Sequence, residues 1–227
     1  MSTYLLINIL IISIPLLFSF ERKIRFYRRL PSVGVSVLVV GTAYLIWDAA
    51  ATARGHWGFN PEHVLGIRIA GLPVEEILFF VTVPYACLFL YETIRVYIRE
   101  YSFPLSGWFQ RSIAIVCIIA AVYFSHQPYT QTVFIFTGLF FILSSILDLQ
   151  MLRSNIFWFY IVLTYLPFFI VNYTLTSIPV VTYGDFAFSG IRFTTIPIED
   201  FLYSFSLLGF NVLVYRFVIK RWQPHLK

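Results

Sequence analysis

Apolar runs dominate the chain, and polar residues gather in short blocks between them. A helix that crosses a bilayer needs about 20 mostly apolar residues. Seven runs approach that length: Tyr4–Phe20, Ser32–Ala51, Glu76–Tyr91, Ile113–Phe124, Val133–Asp148, Ile156–Leu175 and Asp200–Ile219. The fourth is the shortest, and His126-Gln127-Pro128 follows it closely. The pattern predicts an all-α integral membrane protein of about seven transmembrane helices. The first run has neither a basic stretch ahead of it nor a small-residue cleavage site. Its charge follows instead, in the segment from Glu21 to Arg29, so it reads as a retained helix and not as a signal peptide.

Composition sharpens this picture. Of 227 residues, 59% are hydrophobic, 20% aromatic and only 12% charged, against about 25% charged for an ordinary soluble domain. With 25 Phe and 15 Tyr, the chain carries more apolar surface than a soluble core of this size would hide. The net charge of +5 does not point to nucleic acid, because the basic residues lie between apolar runs, where they encode membrane orientation. Arg22, Lys23, Arg25, Arg28 and Arg29 mark the first loop. Arg95, Arg99 and Arg111 mark the third, Arg153 the fifth, and Arg216, Lys220, Arg221 and Lys227 the C-terminus. The opposite side carries only Arg54, Arg68 and Arg192. The expectation is a multi-pass protein of the cell (inner) membrane, with its N-terminus outside, its C-terminus cytoplasmic and the long loops 52–75 and 176–199 facing out. Cys87 and Cys117 lie in apolar runs without a CxxC partner and read as small hydrophobes.

The chain also repeats itself. A shift of 124 residues brings Gly66-Ile67-Arg68 onto Gly190-Ile191-Arg192, Pro73 onto Pro197, Glu75 onto Glu199, Glu76 onto Asp200 and Asp48 onto Asn172. Chance matches among apolar residues would repeat Leu, Ile and Phe, not Gly, Arg, Pro and two adjacent acids in register. The repeat divides the chain into 1–95, a linker with helix 4 at 96–128, and 129–227. Three helices plus one linker give a parallel 3+1+3 repeat, in which both halves enter the membrane in the same direction. Both Pro-x-Glu-acid motifs then fall at the outer ends of helices 3 and 7 and can line one cavity.

Proline followed by acids is also how many helices simply begin, and an acid there gains about 0.3–1 kcal/mol from the helix dipole. A helix start needs one acid, whereas each motif here doubles it at the edge of an apolar span. Burial and a like-charge neighbour raise a carboxyl pKa by up to about 3–5 units, as a general acid at neutral pH requires. Adjacent helical positions point about 100° apart, so one acid of each pair is expected to face the cavity and the other to orient or cap. Glu75 or Glu199 is the expected proton donor, with Glu76 and Asp200 tuning it or taking the departing proton. Asp48 and Asn172, at the ends of helices 2 and 6, are supporting candidates. Arg68 and Arg192 are expected to pair with these carboxylates or to form interfacial salt bridges. Among the aromatics, Trp47, Phe79, Phe80 and Tyr203 are candidates to face the cavity, where a π face would stabilise a carbocation by about 2 kcal/mol or more when desolvated. His56, Glu62 and His63 fit no zinc spacing, and no GxGxxG, P-loop or GxSxG is present. The sequence implies neither a metal nor a cofactor.

At these residues the chain resembles the heterodimer-type lycopene cyclases of bacteria and archaea, in the form where two small membrane halves are fused. The resemblance rests on Trp47-Asp48-x-x-Ala51-Thr52, Trp57-Gly58-Phe59-Asn60-Pro61 and Leu72-Pro73-Val74-Glu75-Glu76-Ile77-Leu78-Phe79-Phe80. In the second half it rests on Val171-Asn172-x-x-Leu175-Thr176, Pro179-Val180-Val181-x-Tyr183 and Ile196-Pro197-Ile198-Glu199-Asp200-Phe201-x-Tyr203. It implies a lycopene β-cyclase, an isomerase of carotenoid biosynthesis that closes the ψ-ends of lycopene to β-rings without net redox change or flavin. Its partners would be lycopene and other apolar carotenoids drawn from membrane lipid. Two other classes remain open on the residues alone. A small parallel-repeat transporter would need polar residues near the midplane, and a non-catalytic scaffold would leave the doubled acids without a use. The ring type, the carotenoid length and a homo-oligomer are also open. Helix 2 has small residues at Gly34, Ser36, Gly41 and Ala43, but no firm GxxxG signal.

Overall fold

The computed structural model describes residues 2–222. Lys227, counted above among the C-terminal basic residues, lies outside the described residues. Seven long helices follow one another: α1 (Thr3–Phe18), α2 (Leu30–Ala53), α3 (Val74–Tyr97), α4 (Gly107–Tyr123), α5 (Pro128–Leu147), then, after the short α6 (Leu149–Arg153), α7 (Asn155–Ser177) and α8 (Glu199–Trp222). Five of them, α2, α3, α5, α7 and α8, are long and apolar enough to cross a membrane. The helices α1 and α4 are apolar but shorter, at 16 and 17 residues. The outward faces are apolar, with Leu17, Leu38, Ile46, Val122 and Ile146 among the most exposed side chains, as a lipid-facing surface requires.

The helix ends follow local chemistry. Ser2 caps α1 by accepting from the Leu5 amide at 3.2 Å, and Ser106 caps α4 by accepting from the Trp108 amide at 3.2 Å. Prolines sit in the first turns of α2 and α5, where a missing amide hydrogen is harmless. The cap at Ser106 starts α4 six residues before the apolar run at Ile113. Arg111 lies over the Trp108 ring there, 5.5 Å from its centre, so the polar segment joins the helix.

In the bundle, α1 packs on α3, and α5 packs on α8. The helix α2 lies against both α3 and α8, α7 packs on α3, and α4 covers α5. The small residues of α2 are used inside the chain. Gly41 approaches the Phe80 carbonyl of α3, and the Ser36 hydroxyl donates to the Asn211 carbonyl of α8 at 2.7 Å. The core between the helices is aromatic and includes Phe80, Tyr91, Phe140, Phe157, Tyr160 and Tyr215. A methyl group added at Gly209 of α8 would lie 2.7 Å from the buried Phe140 ring. Alanine is the better helix former by about 1 kcal/mol, but overpacking costs about 1–3 kcal/mol. We therefore expect Gly209→Ala to lower the thermal midpoint of the detergent-solubilised protein.

At one end of the bundle the two long loops fold into short strands. A hairpin of β2 (Arg68–Ile69) and β3 (Leu72–Pro73) leads into α3. Its turn residues Ala70 and Gly71 both have positive φ, 52° and 85°, the pattern of a type I′ turn. A second hairpin of β5 (Arg192–Phe193) and β6 (Ile196–Pro197) leads into α8, with Thr194 at φ 58°. Between them, β1 (Trp57–Phe59) pairs antiparallel with β4 (Val181–Tyr183), bringing Gly58 opposite Thr182 and Trp57 opposite Tyr183. Arg68 and Arg192 do not pair with the acids, although Arg192 lies over the Tyr183 ring, 5.6 Å from its centre, near enough for its charge to act on Asp200. Each reaches back across its own hairpin turn, Arg68 donating to the Gly71 carbonyl at 2.9 Å and Arg192 to the Thr195 carbonyl at 2.7 Å. Neither forms an ion pair among the described residues. The expected salt bridges are therefore absent, because a two-residue turn places the guanidinium over its own carbonyls.

The opposite end of the bundle holds the ion pairs. Glu92 is buried between Arg29 and Arg95 at 2.9 and 2.8 Å. Asp148 lies between Arg216 and Lys220, each at 2.7 Å. Burial works against the Asp148 charge, but the two cations outweigh it and hold the carboxyl below its ordinary range.

Candidate functional site

A cavity of about 770 Å³ lies among α1, α3, α7 and α8, within the size range of small-molecule sites. Most of its wall is apolar, including Ile7, Ile11, Val83, Leu90, Phe168 and Leu207. Its polar groups gather at the end that carries the strands: Asp48, Glu76, Asp200 and the hydroxyl-bearing rings of Tyr4, Tyr129, Tyr183 and Tyr203.

The two acids of each motif divide as adjacent helical positions must. Glu75 and Glu199 do not line the cavity. Glu75 is fully buried, and its Oε1 accepts from the Ser2 hydroxyl and the Leu65 amide, both at 2.6 Å. Glu199 accepts in the same way from the Thr130 hydroxyl at 2.6 Å and the Ser189 amide at 2.8 Å. Each ties a neighbouring helix start and its own loop to the head of α3 or α8. The sequence pattern pointed to Glu75 or Glu199 as the donor, but the groups in the cavity are Glu76 and Asp200.

Glu76 and Asp200 have different surroundings. The Tyr4 hydroxyl donates to Glu76, and Asp48 lies near enough for the two carboxyls to interact as charges. Asp48 itself accepts from the Trp57 indole at 2.6 Å and, at 3.4 Å, from the Thr52 hydroxyl. Its other oxygen has no hydroxyl or N–H donor beside it among the described residues, and the Asp48 and Glu76 carboxyls are close enough to share a hydrogen bond when one of them carries a proton. Asp200 accepts on both oxygens, from the Tyr129 hydroxyl at 2.5 Å and the Tyr183 hydroxyl at 2.8 Å. Burial, and then the neighbouring Asp200 charge, push the Tyr183 hydroxyl well above its ordinary range, so it stays a donor. Asn172, the counterpart of Asp48, also lines the cavity, but its amide donates back to the Phe168 carbonyl of its own helix at 3.3 Å.

Of the four aromatic candidates, Phe79 and Tyr203 line the cavity, whereas Trp47 and Phe80 do not. Phe80 is buried in the core, and Trp47 stacks on Phe136 with ring centres 4.7 Å apart. Cys87 lines the cavity wall, and Cys117 is buried. Among the described residues, no group of three His, Cys, Asp or Glu side chains could hold a metal ion.

The tyrosines that hold the acids were not visible as candidates in the ungapped repeat. Tyr4 matches Tyr129 at a shift of 125, not 124, so a one-residue gap hides the pair. Allowing that gap would have exposed an equivalent hydroxyl beside each acid.

The lycopene cyclase family model matches residues 1–94 and 126–218. The bifunctional lycopene cyclase/phytoene synthase of Neurospora crassa is 40% identical over 58 residues, which is 26% of this chain and 10% of that protein. The protein of the same name from Phaffia rhodozyma is 40% identical over 48 residues, 20% of this chain and 7% of its own length. That from Podospora anserina is 32% identical over 59 residues, 26% of this chain and 10% of its own length. The chain thus matches a tenth or less of the length of these curated relatives. No solved structure matches it. The family match takes in most of the chain and both acid-bearing stretches, and the chain therefore belongs to the lycopene cyclase family.

Proposed function

We propose that this protein is a carotenoid cyclase that converts the ψ-ends of lycopene to β-rings. The observation that carries the reading is a single apolar cavity with buried carboxyls from both motifs at one end. A proton is delivered to C2 of the terminal C1=C2 bond, leaving a cation at C1. The C5=C6 bond attacks it, closing a six-membered ring between C1 and C6 and moving the cation to C5. Loss of the C6 proton restores a C5=C6 double bond. One proton enters and one leaves, so the step is an isomerisation and needs no redox partner.

Glu76 is the donor in this reading. Asp48 and Glu76 are suited to carry one proton between them, because two bare charges side by side in an apolar site cost more than one. Asp200, with a hydroxyl donor on each oxygen, receives the departing proton. Phe79 and Tyr203 face the cavity and supply π faces for the cation. The apolar wall keeps water from trapping the cation as an alcohol.

The architecture proposed with this chemistry is seven spans in a parallel 3+1+3 repeat. Several features support it. The family match falls in two stretches that leave out 95–125. The two hairpins enter α3 and α8 alike, and β1 pairs with β4 about residues 124 apart, Gly58 and Thr182, as a two-fold axis along the membrane normal would arrange. The basic clusters at the end away from the cavity's acids favour a cytoplasmic position for that end. The N-terminus then lies outside, in the cell membrane, and lycopene arrives from lipid. The motifs shared by both halves favour the fused heterodimer-type cyclases as the nearest class.

The test is expression in a bacterial host that accumulates lycopene, with chromatography of the extracted carotenoids. Monocyclic and bicyclic products with β-rings are expected. Unchanged lycopene, with the protein correctly inserted, would overturn the reading.

A further inference from the structure

The two halves are alike in sequence, but the space around them is not. The cavity opens to the surroundings between α1 and α7. Leu10, Ile14 and Ile170 line it and are also 63%, 64% and 66% exposed. Its back wall is α3 and α8. From Glu76 to Leu90 on α3 the lined stretch spans 14 positions, or about 21 Å at 1.5 Å per residue. It is therefore a groove that starts at the acids, runs along the bundle and is open on its lipid side.

The repeat places an equivalent groove between α2 and α5, in front of α8 and α3. There the sequence departs from the pattern. Trp47 stands where the open groove has Val171, and Phe136 stands where it has Ile11. The Trp47 and Phe136 rings stack with centres 4.7 Å apart. Tyr44 meets Phe136 edge-on at 4.9 Å, and its hydroxyl donates to Ser206 at 2.7 Å. Bridged by these rings, α2 and α5 close the space, and α4 covers α5.

We infer that one groove, the opening between α1 and α7, admits one arm of the carotenoid at a time, and that both ring closures occur at the same acids in two separate visits. The inference rests on the cyclase reading above. A symmetric substrate offers two identical ends, and a protein with two open grooves could hold and close both. With one groove, the singly cyclised molecule must leave, turn end for end and bind again. Fresh lycopene then competes with it for re-entry.

The test uses the full chain reconstituted in liposomes loaded with lycopene at graded lycopene-to-protein ratios. Free monocyclic product is expected before bicyclic product, and the bicyclic share is expected to fall as lycopene rises. A companion variant, Ala86→Trp, fills the open groove on α3 and is expected to lose both ring closures. Phe136→Trp, on the closed side, is expected to retain them, with membrane insertion of each variant measured by quantitative immunoblot. Bicyclic product that forms without free monocyclic product at every ratio would overturn the single-groove inference and leave the cyclase reading standing. So would ring formation by well-inserted Ala86→Trp. Absence of any ring from the native chain overturns both.

Discussion

Glu76→Gln is expected to stop ring closure while leaving the bundle folded. Glutamine has the size of glutamate, and its carbonyl oxygen can still accept from the Tyr4 hydroxyl, but it has no acidic proton to give. Removing a positioned general acid lowers rates by about 10²–10⁴-fold, so lycopene should be recovered almost unchanged from cells expressing this variant. Glu75→Gln is the informative comparison. Glutamine keeps an oxygen to accept from the Ser2 hydroxyl and the Leu65 amide, but it puts an amide group where the buried Oε2 of Glu75 has no hydrogen-bond partner, so the cost falls on the head of α3 and not on the chemistry. About 1–2 kcal/mol of stability should be lost there, seen as a lower thermal midpoint with ring formation retained by the protein that remains folded. The reverse result, an inactive Glu75→Gln and an active Glu76→Gln, would return the donor to Glu75.

Asp200→Asn should be comparably severe and should fail differently. Both Asp200 oxygens accept from tyrosine hydroxyls. Asparagine can accept from only one of them, because its amide nitrogen turns a donor toward the other. The base is lost, and the tyrosine that faced it loses its acceptor. Total ring formation should again fall by about 10²–10⁴-fold. The ring that does form should carry its double bond at altered positions, since the cation must surrender a proton to whatever else is near. Chromatography that resolves ring isomers reads this directly. An unaltered isomer ratio with full activity would remove Asp200 from the proton path. Tyr183→Phe, which leaves one donor in place, should have a milder effect than either acid variant.

Much of this could be seen in the residues, for identifiable reasons. Long apolar runs must become helices in lipid, because no water is there to satisfy the backbone, and the helices fall where those runs lie. The acids at the heads of α3 and α8 could be found because Pro, Glu and a second acid recur in register. What stayed hidden depends on direction and on contacts between distant segments. Sequence could say that Glu75 and Glu76 diverge by about 100°, but not which one turns inward. That is decided by α1, whose Ser2 claims Glu75 and whose Tyr4 claims Glu76. The pairing of β1 with β4 joins segments more than a hundred residues apart, and strands of three residues leave no periodicity to read. The arginines Arg68 and Arg192 look like partners for acids in a linear text, yet each folds back over its own turn.

The way the helices nest also bears on how the molecule is built during synthesis. The helix α8 carries Asp200 and packs against α2, α3 and α5, and its side chains are the most enclosed of the spanning helices. Every earlier helix can enter the bilayer while the ribosome is still working, but the faces of α2 and α5 that await α8 stay unpaired until it emerges. At about 5–20 residues per second, the stretch from the end of α2 to the end of α8 occupies the ribosome for on the order of ten seconds. During that interval Ser36 and Tyr44 are without their partners on α8, Asn211 and Ser206. Packing of this bundle is thus complete only once its eighth helix is in place, and until then those two hydroxyls lack the partners they have in the folded protein.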